Sequence, residues 1–305
     1  MKILVFTEKP FAPAAVKAIQ NTIDAAGADM LLVERGTRSD FIAAVKDVQG
    51  LIVRSDIVDA EVMTAAHELK VIVRAGAGYD NIDLQAATNH GICVMNTPGQ
   101  NSNAVAELVF GMIVMMCRNK YNGTSGSELK DKNLGIYAFG QVGRNVARIA
   151  KGFGMNVQAL DVFVPDEAME KEGVVPVHEV KQLFSQNNFV SLHIPATPQT
   201  KNSIGYDLIT AMPQNGVLVN TARKEVIDEE GLFKALKDRP DLRYVSDIKP
   251  GNAEDLERNF AERVFFTPKK MGAQTAEANF NAGVAAAEQA IAFLRDGWNK
   301  YQVNK

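Results

Sequence analysis

The sequence predicts an α/β protein built from two doubly wound parallel-sheet domains, and three observations carry that prediction. Short, almost continuous apolar runs alternate with helical patterns along the chain, as in parallel sheets covered by helices on both faces. The alternation restarts after a long apolar segment at 102–119, so two sheets are expected. The second series opens on a glycine turn between a strand and an amphipathic helix, within NLGIYAFGQVGRNVARIAKGFGMNVQALD (133–161).

In the first series, ILVFT (3–7), MLLVE (30–34), LIVRS (51–55), VIVRAG (71–76) and ICVMN (92–96) read as strands. Helical patterns separate them near 12–26, 39–48, 59–68 and 83–90. Asn96-Thr97-Pro98-Gly99 breaks the alternation, and the long helix follows. Its Met112, Met115 and Met116 suit core or subunit packing. The polar stretch 121–133 reads as a loop into the second series. That series has strands near 134–138, 156–161, 174–177, 188–193, 216–220, 243–247 and 263–267. Helices lie between them, including Asp228–Lys237 with acids in its first turn, and a last helix spans 278–298.

The glycine turn identifies a dinucleotide site. Gly140 lets backbone approach a pyrophosphate, and Gly143 lets the helix pack closely on the strand. The helix N-terminus beside Gln141 and Val142 offers N–H groups and a positive dipole end to the phosphates. Val142, Val146, Ile149, Ala150 and Phe153 recur at helical spacing, and Gly154 is a helix stop. Asp161 ends the next strand 18 residues beyond Gly143 (161 − 143), where an acid meets ribose hydroxyls. A carboxylate there favours NAD over NADP. The fingerprint's first glycine is Ala138 here, a departure read as minor.

Other classes are disfavoured by composition. The 305 residues suit two domains, with 46% hydrophobic and 23% charged side chains. A net charge of −3 gives no electrostatic reason to expect nucleic acid or an anionic membrane as partner. The longest apolar stretch, 104–117, contains Glu107 and is too short to span a bilayer. MKILVFTEKP reads as a strand, not a signal peptide. Cys93 and Cys117 read as buried free thiols of a reducing compartment, so a cytoplasmic protein is expected. No metal-ligand spacing is present.

Three arginines stand where strands end. Arg223 follows the strand of VLVNTARKEVIDEEGL (217–232), at the edge where open parallel sheets bind ligands. There it can grip a carboxylate with two hydrogen bonds and polarise the neighbouring carbonyl. Arg54 and Arg74 end strands of the first series, and Gly76 and Gly78 beside Arg74 expose backbone N–H groups to an anion. A substrate with two negative groups is one reading, and a structural ion pair for one arginine is the other.

RAGAGYDNIDLQAATNHGICVMNTPGQNSNAVAELVFGM, NLGIYAFGQVGRNVARIA, SLHIPATPQTKNSIG and VLVNTARKEVIDEEGL closely resemble the D-2-hydroxyacid dehydrogenases. Within that family they are most similar to the 3-phosphoglycerate dehydrogenases, the NAD enzymes that open serine synthesis. The resemblance implies a Rossmann NAD-binding domain over 98–275 and a flavodoxin-like substrate-binding domain from 1–97 plus 276–305. It implies NAD and substrate in a cleft between them, and a homodimer through the NAD-binding domain and the long helix. On matching positions it places Arg223 at the substrate carboxylate and carbonyl, Asp161 at the ribose, and Gly140, Gln141, Val142 and Gly143 at the pyrophosphate. His193, Ile194, Pro195, Thr221, Ala222, Asp247 and Gly272 would line the adenine and nicotinamide ends. Arg54, Ser55 and Arg74 would meet the phosphate of 3-phosphoglycerate, with Ala77 and Gly78 near its carboxylate. Longer relatives carry a C-terminal regulatory domain, and an end at Lys305 leads us to expect no serine inhibition through one.

The family's acid/base pair is missing. Its histidine falls in a T-P-H-x-G segment, where this chain reads TPKKMGAQT (267–275). Its glutamate would fall five residues past Asp247, where Asn252 stands. His67, His90 and His178 lie in outer regions, and His193 matches a cofactor neighbour. Reduction of a 2-oxo acid needs a proton donor and the reverse needs a base. A lysine serves both if its pKa falls from ~10.4 toward ~7–8 through burial or a neighbouring cation such as Arg223. The pattern resembles the short 3-phosphoglycerate dehydrogenases with lysine in place of the histidine–glutamate pair. Counting from Pro268 selects Lys269 and counting back from Gly272 selects Lys270, with Lys270 preferred. Other readings are a hydroxypyruvate or glyoxylate reductase, and a non-catalytic NAD-sensing binding protein.

Overall fold

The computed structural model describes residues 1–304, and they fall into two units: Met1–Asn101 with the chain from Gln274 onward, and Ser102–Ala273. In the first, β1 (Lys2–Thr7), α1 (Pro13–Ala25), β2 (Asp29–Glu34), α2 (Arg38–Ala44), β3 (Gly50–Val53), α3 (Ala60–Ala65), β4 (Val71–Arg74), α4 (Leu84–Asn89) and β5 (Cys93–Asn96) alternate. All strand pairs are parallel and the order is β2-β1-β3-β4-β5. This is the flavodoxin-like order, reversing direction between β1 and β3. Local chemistry sets the helix starts. Thr37 and Asp40 form a capping box for α2, while Asp59 and Asp83 cap α3 and α4. All four residues of β3 are buried, as befits a central strand covered on both faces.

The second unit begins with α5 (Ser102–Cys117), then β6 (Asn133–Tyr137), α6 (Gln141–Gly152), β7 (Asn156–Leu160), α7 (Asp166–Lys171) and β8 (Val175–Pro176). It continues through α8 (Val180–Gln186), β9 (Phe189–Leu192), α9 (Tyr206–Thr210), β10 (Val217–Asn220), α10 (Glu229–Asp238), β11 (Arg243–Ser246), α11 (Ala253–Phe260) and β12 (Val264–Phe266). The seven parallel strands run β12-β11-β10-β9-β6-β7-β8. Renumbered from β6, that is the Rossmann order with one added strand, and it reverses between β6 and β9. The buried face of α5, with Val109, Ile113 and Met116, shares one core with Val146 and Ala150 of α6 and Leu134 and Ile136 of β6. Asn119, Lys120 and Tyr121 follow with φ of 49, 52 and 59°, a left-handed turn that Lys120 ties down by donating to the Val264 carbonyl at 2.7 Å.

The chain returns to the first unit as α12 (Ala276–Asp296). Buried Ala282, Ala286, Ala287 and Ala290 give this helix a flat inner face. At Gly283 an added Cβ would come within 2.8 Å of Ile19, so the glycine lets α12 lie close on α1. Gly297, at φ 70°, ends the helix. The tail then covers the edge of β5: Val303 N–H donates to Val94 O at 2.8 Å, and the buried Asn304 side chain accepts from Val94 N–H at 2.7 Å. No helix among the described residues is long and apolar enough to cross a membrane. Cys93 and Cys117 are buried free thiols.

Candidate functional site

In the second unit the strand order reverses between β6 and β9, so their carboxyl ends open the crevice in which such sheets bind ligands. The turn after β6 is built for close approach. Ala138 adopts φ 80°, the conformation a glycine takes freely. Three contacts hold the alanine there. Ala138 N–H donates to Leu160 O at 2.8 Å, Phe139 N–H donates to Asp161 Oδ2 at 2.7 Å, and the fully buried Phe139 ring lies under the Arg144 guanidinium at 4.8 Å. Arg144 is also paired with Glu172.

The two glycines of the turn serve different needs. A Cβ on Gly143 would sit well inside contact with the Ala138 carbonyl oxygen and 3.1 Å from Ile136 Cγ2, so glycine is required by the chain itself. A Cβ on Gly140 would meet nothing within 4 Å, so the space there is open. Gly140 is the N-cap of α6, no side chain caps that end, and its first turn holds no acid. Open space in front of a helix N-terminus fits a pyrophosphate. Asp161 fits the ribose end, since its carboxylate is oriented by the N–H groups of Phe139 and Phe163, at 2.7 and 2.8 Å. Gln141 is exposed and Val142 half-buried at the start of α6.

His193 follows β9, tied to β6 by its N–H to the Tyr137 carbonyl at 2.9 Å. Its ring lies between two hydroxyls, with Nε2 2.9 Å from Ser191 Oγ and Nδ1 3.3 Å from Thr221 Oγ1. Desolvation of this half-buried ring lowers its pKa to about 3, so the imidazole is neutral and a poor proton acceptor. Ile194 is buried and Pro195 exposed beside it.

The turn after β10 carries Thr221, Ala222 and Arg223. Fully buried Asn220 shapes it, accepting from Ala222 N–H at 2.9 Å and donating to Arg223 O at 3.0 Å. Arg223 Nη1 donates to Ala222 O at 3.0 Å, and Lys270 Nζ reaches the same oxygen at 3.4 Å. Two cations from segments 47 residues apart in sequence (270 − 223) therefore converge on one carbonyl. Both lysines are exposed, and Lys269 has no such contact among the hydrogen bonds and ion pairs described. That contact belongs to Lys270, whereas spacing leaves both lysines open.

Asp247 and Asn252 each make contacts that spacing along the chain does not reveal. Asp247 is 1% exposed and accepts from Thr267 Oγ1 at 3.1 Å and from the N–H groups of Met271 and Gly272, both at 2.8 Å. Asn252 precedes α11 as its N-cap, with its N–H donating to Glu229 Oε2 at 3.1 Å and its Nδ2 to Glu229 O at 3.0 Å. The sequence reading missed a chain of buried anchors, in which Ser246 Oγ donates to Asn220 O at 3.0 Å and Thr267 N–H donates to Ser246 O at 3.1 Å. Their only sequence signal is a polar residue ending an apolar strand.

In the first unit Arg54 extends from the end of β3, at the reversal point of that sheet. It donates to the carbonyls of Lys9 and Pro10, both at 3.1 Å, and to the Asn279 side chain, and it stacks on Phe11 at 5.0 Å. Exposed Ser55 follows it. Arg74, at the end of β4, donates to Ala75 O at 3.3 Å. Gly76 adopts φ 146°, and a Cβ there would fall inside the Arg74 guanidinium. Ala77 is exposed and Gly78 half-buried in the same turn, with Ala77 O accepting from Asn96 Nδ2 at 2.7 Å.

Several known proteins resemble this chain in sequence and fold. A 3-phosphoglycerate dehydrogenase of Entamoeba histolytica, solved with NAD+ bound, superposes with a TM-score of 0.88 at 46% identity, covering 100% of this chain and 99% of that one. The D-3-phosphoglycerate dehydrogenase of Methanocaldococcus jannaschii is 37% identical over 85% of this chain and 52% of its own length. The chain thus spans about half the length of that relative. The hydroxypyruvate reductase of Thermotoga maritima is 34% identical over 83% of this chain and 87% of its own. Residues 106–268, which include the turn after β6, the turn after β10 and Asp247, match the NAD-binding domain of one family, and the chain belongs to the D-isomer specific 2-hydroxyacid dehydrogenases.

Proposed function

We propose that the protein is an NAD-dependent dehydrogenase that oxidises D-3-phosphoglycerate to 3-phosphohydroxypyruvate, the first step of L-serine biosynthesis, with Lys270 as acid and base. The observation that carries this reading is the convergence of Arg223 and Lys270 on the Ala222 carbonyl. NAD, when bound, supplies the hydride acceptor. Arg223 holds the substrate carboxylate through paired N–H donors and keeps the C2 oxygen in register. As a free amine Lys270 takes the C2 hydroxyl proton as the alcohol becomes a ketone, and as an ammonium it returns that proton in reduction. His193, kept neutral by burial, supports Thr221 and leaves the proton transfer to the lysine.

The phosphate is assigned to Arg74, Arg54 and Ser55, with Ala77 and Gly78 near the substrate carboxylate. Arg54 already holds the loop at residues 9–10, so its share is positive charge and a fixed loop. A homodimer through the NAD-binding unit and α5, in the cytoplasm, belongs to the same proposal.

The test is NADH oxidation against a panel of 2-oxo acids. 3-Phosphohydroxypyruvate should be reduced with the highest kcat/KM. The Thermotoga relative favours a second reading, reduction of hydroxypyruvate or glyoxylate, which equal efficiency on glyoxylate would support. NADH binding with no turnover of any 2-oxo acid would leave only an NAD-sensing role.

A further inference from the structure

The segment that carries Lys270 is closed at both ends by one side chain. Thr267 Oγ1 donates to Asp247 Oδ1 at its start, and Met271 and Gly272 donate their N–H groups to Asp247 Oδ1 and Oδ2 at its end. Thr267 is 2% exposed and its own N–H donates to Ser246 O at 3.1 Å, so the start is also fastened to β11. Between these points Pro268, Lys269 and Lys270 are exposed. A Cβ on Gly272 would come within 2.7 Å of Asp247 Oδ2, so glycine is needed for the carboxylate to reach the backbone. Asp247 itself is fixed by its N–H to the Asn220 carbonyl at 3.0 Å, the residue whose side chain shapes the Ala222–Arg223 turn.

We propose that Asp247 is the positioning residue for Lys270, clamping 267–272 so that the lysine is presented at the Ala222 carbonyl beside Arg223. This rests on the reading of Lys270 as the acid and base. A short segment with a flexible four-carbon side chain has many arrangements, and a proton donor contributes fully only when held within hydrogen-bond reach of its target. The clamp removes the backbone part of that freedom. A buried carboxylate accepting three hydrogen bonds holds its donors strongly, since loss of any one leaves part of a buried charge unsatisfied.

The clamp can be opened without touching Asp247, Lys270 or Arg223. Thr267→Val keeps the shape and removes the hydroxyl donor, whereas Thr267→Ser keeps the donor. The clamp predicts that Thr267→Val lowers kcat about tenfold, with KM and the Kd for NADH within twofold, and that Thr267→Ser restores kcat to within twofold. On a Lys270→Met background Thr267→Val should cost nothing further, because the group it positions is gone. Without added cofactor, the labelling rate of Lys270 relative to Lys269 by an amine reagent, read by peptide mass spectrometry, should change at least twofold in Thr267→Val and not in Thr267→Ser.

Full turnover in Lys270→Met would sink the lysine reading itself. If Lys270→Met is slow, the clamp is overturned by unchanged kcat in Thr267→Val, by an equal loss on the Lys270→Met background, or by a loss that appears as weaker NADH binding. If Thr267→Val does not fold, Thr267→Ala, which also removes the hydroxyl donor, is read by the same criteria.

Discussion

Alanine at Gly140 and alanine at Gly143 should fail in opposite ways. At Gly143 the new methyl collides with the Ala138 carbonyl oxygen and lies 3.1 Å from Ile136, so the helix or the turn must move. Overpacking of this kind costs about 1–3 kcal/mol, and a domain of this size loses about 2–4 °C per kcal/mol, giving a fall in Tm of roughly 2–12 °C. At Gly140 the backbone, with φ −77° and ψ −158°, suits alanine and the methyl has nothing to strike. Reduced freedom of the unfolded chain gains ~0.4–1 kcal/mol, and loss of glycine at an N-cap costs a similar amount. Stability should therefore stay within about 0.5 kcal/mol of the parent. The methyl instead fills the space before the first turn of α6. Losing one charge-assisted hydrogen bond there, about 1.5–3 kcal/mol, weakens NADH binding about 10- to 150-fold. Thermal melts and NADH fluorescence titrations on both variants decide the matter. A Gly140→Ala protein that binds NADH like the parent, or that melts as early as Gly143→Ala, refutes the assignment of that space to the cofactor.

Three further outcomes follow from the geometry. Ala138 sits at φ 80°, so Ala138→Gly should leave Tm within ~2 °C, whereas Ala138→Val should cost about 1–3 kcal/mol by forcing a β-branched residue into that region; melts of both check this. Arg223→Gln removes the paired donors for the substrate carboxylate, so kcat/KM should fall about 10²- to 10⁴-fold while the Kd for NADH changes less than threefold. His193 has a folded pKa of about 3, below its unfolded value of 6.5. Its stabilising contribution is complete above pH 6.5 and is lost as pH falls toward 3. His193→Gln should accordingly flatten the decline of Tm between pH 6.5 and 4, and the kcat profile of the parent should show no ionisation from this histidine.

The sheet strands, the glycine turn and Asp161 were legible because each rests on local pattern: continuous apolar runs for strands buried on both faces, a helical stripe after the turn, an acid at a strand end. Ala138 was legible only as a departure. That it keeps the backbone angle of the glycine it replaces depends on Phe139 burial and the Asp161 bond, which are tertiary. The choice between Lys269 and Lys270 was closed to spacing, because one extra residue makes both counts valid. We favour Lys270 because its Nζ reaches Ala222 O at 3.4 Å, a contact that no count along the chain reveals. Arg54 shows the same limit. Its position at a strand end was readable, but its bonds to residues 9, 10 and 279 were not.

The central claim is that Lys270 moves the proton, and the rate of hydride transfer from NADH to 3-phosphohydroxypyruvate in a single turnover tests it most directly. Lys270→Met should slow that step by about 10²- to 10⁴-fold, with Lys269→Met staying within a few-fold of the parent. A Lys270→Met protein that transfers hydride at the parent rate would contradict the account.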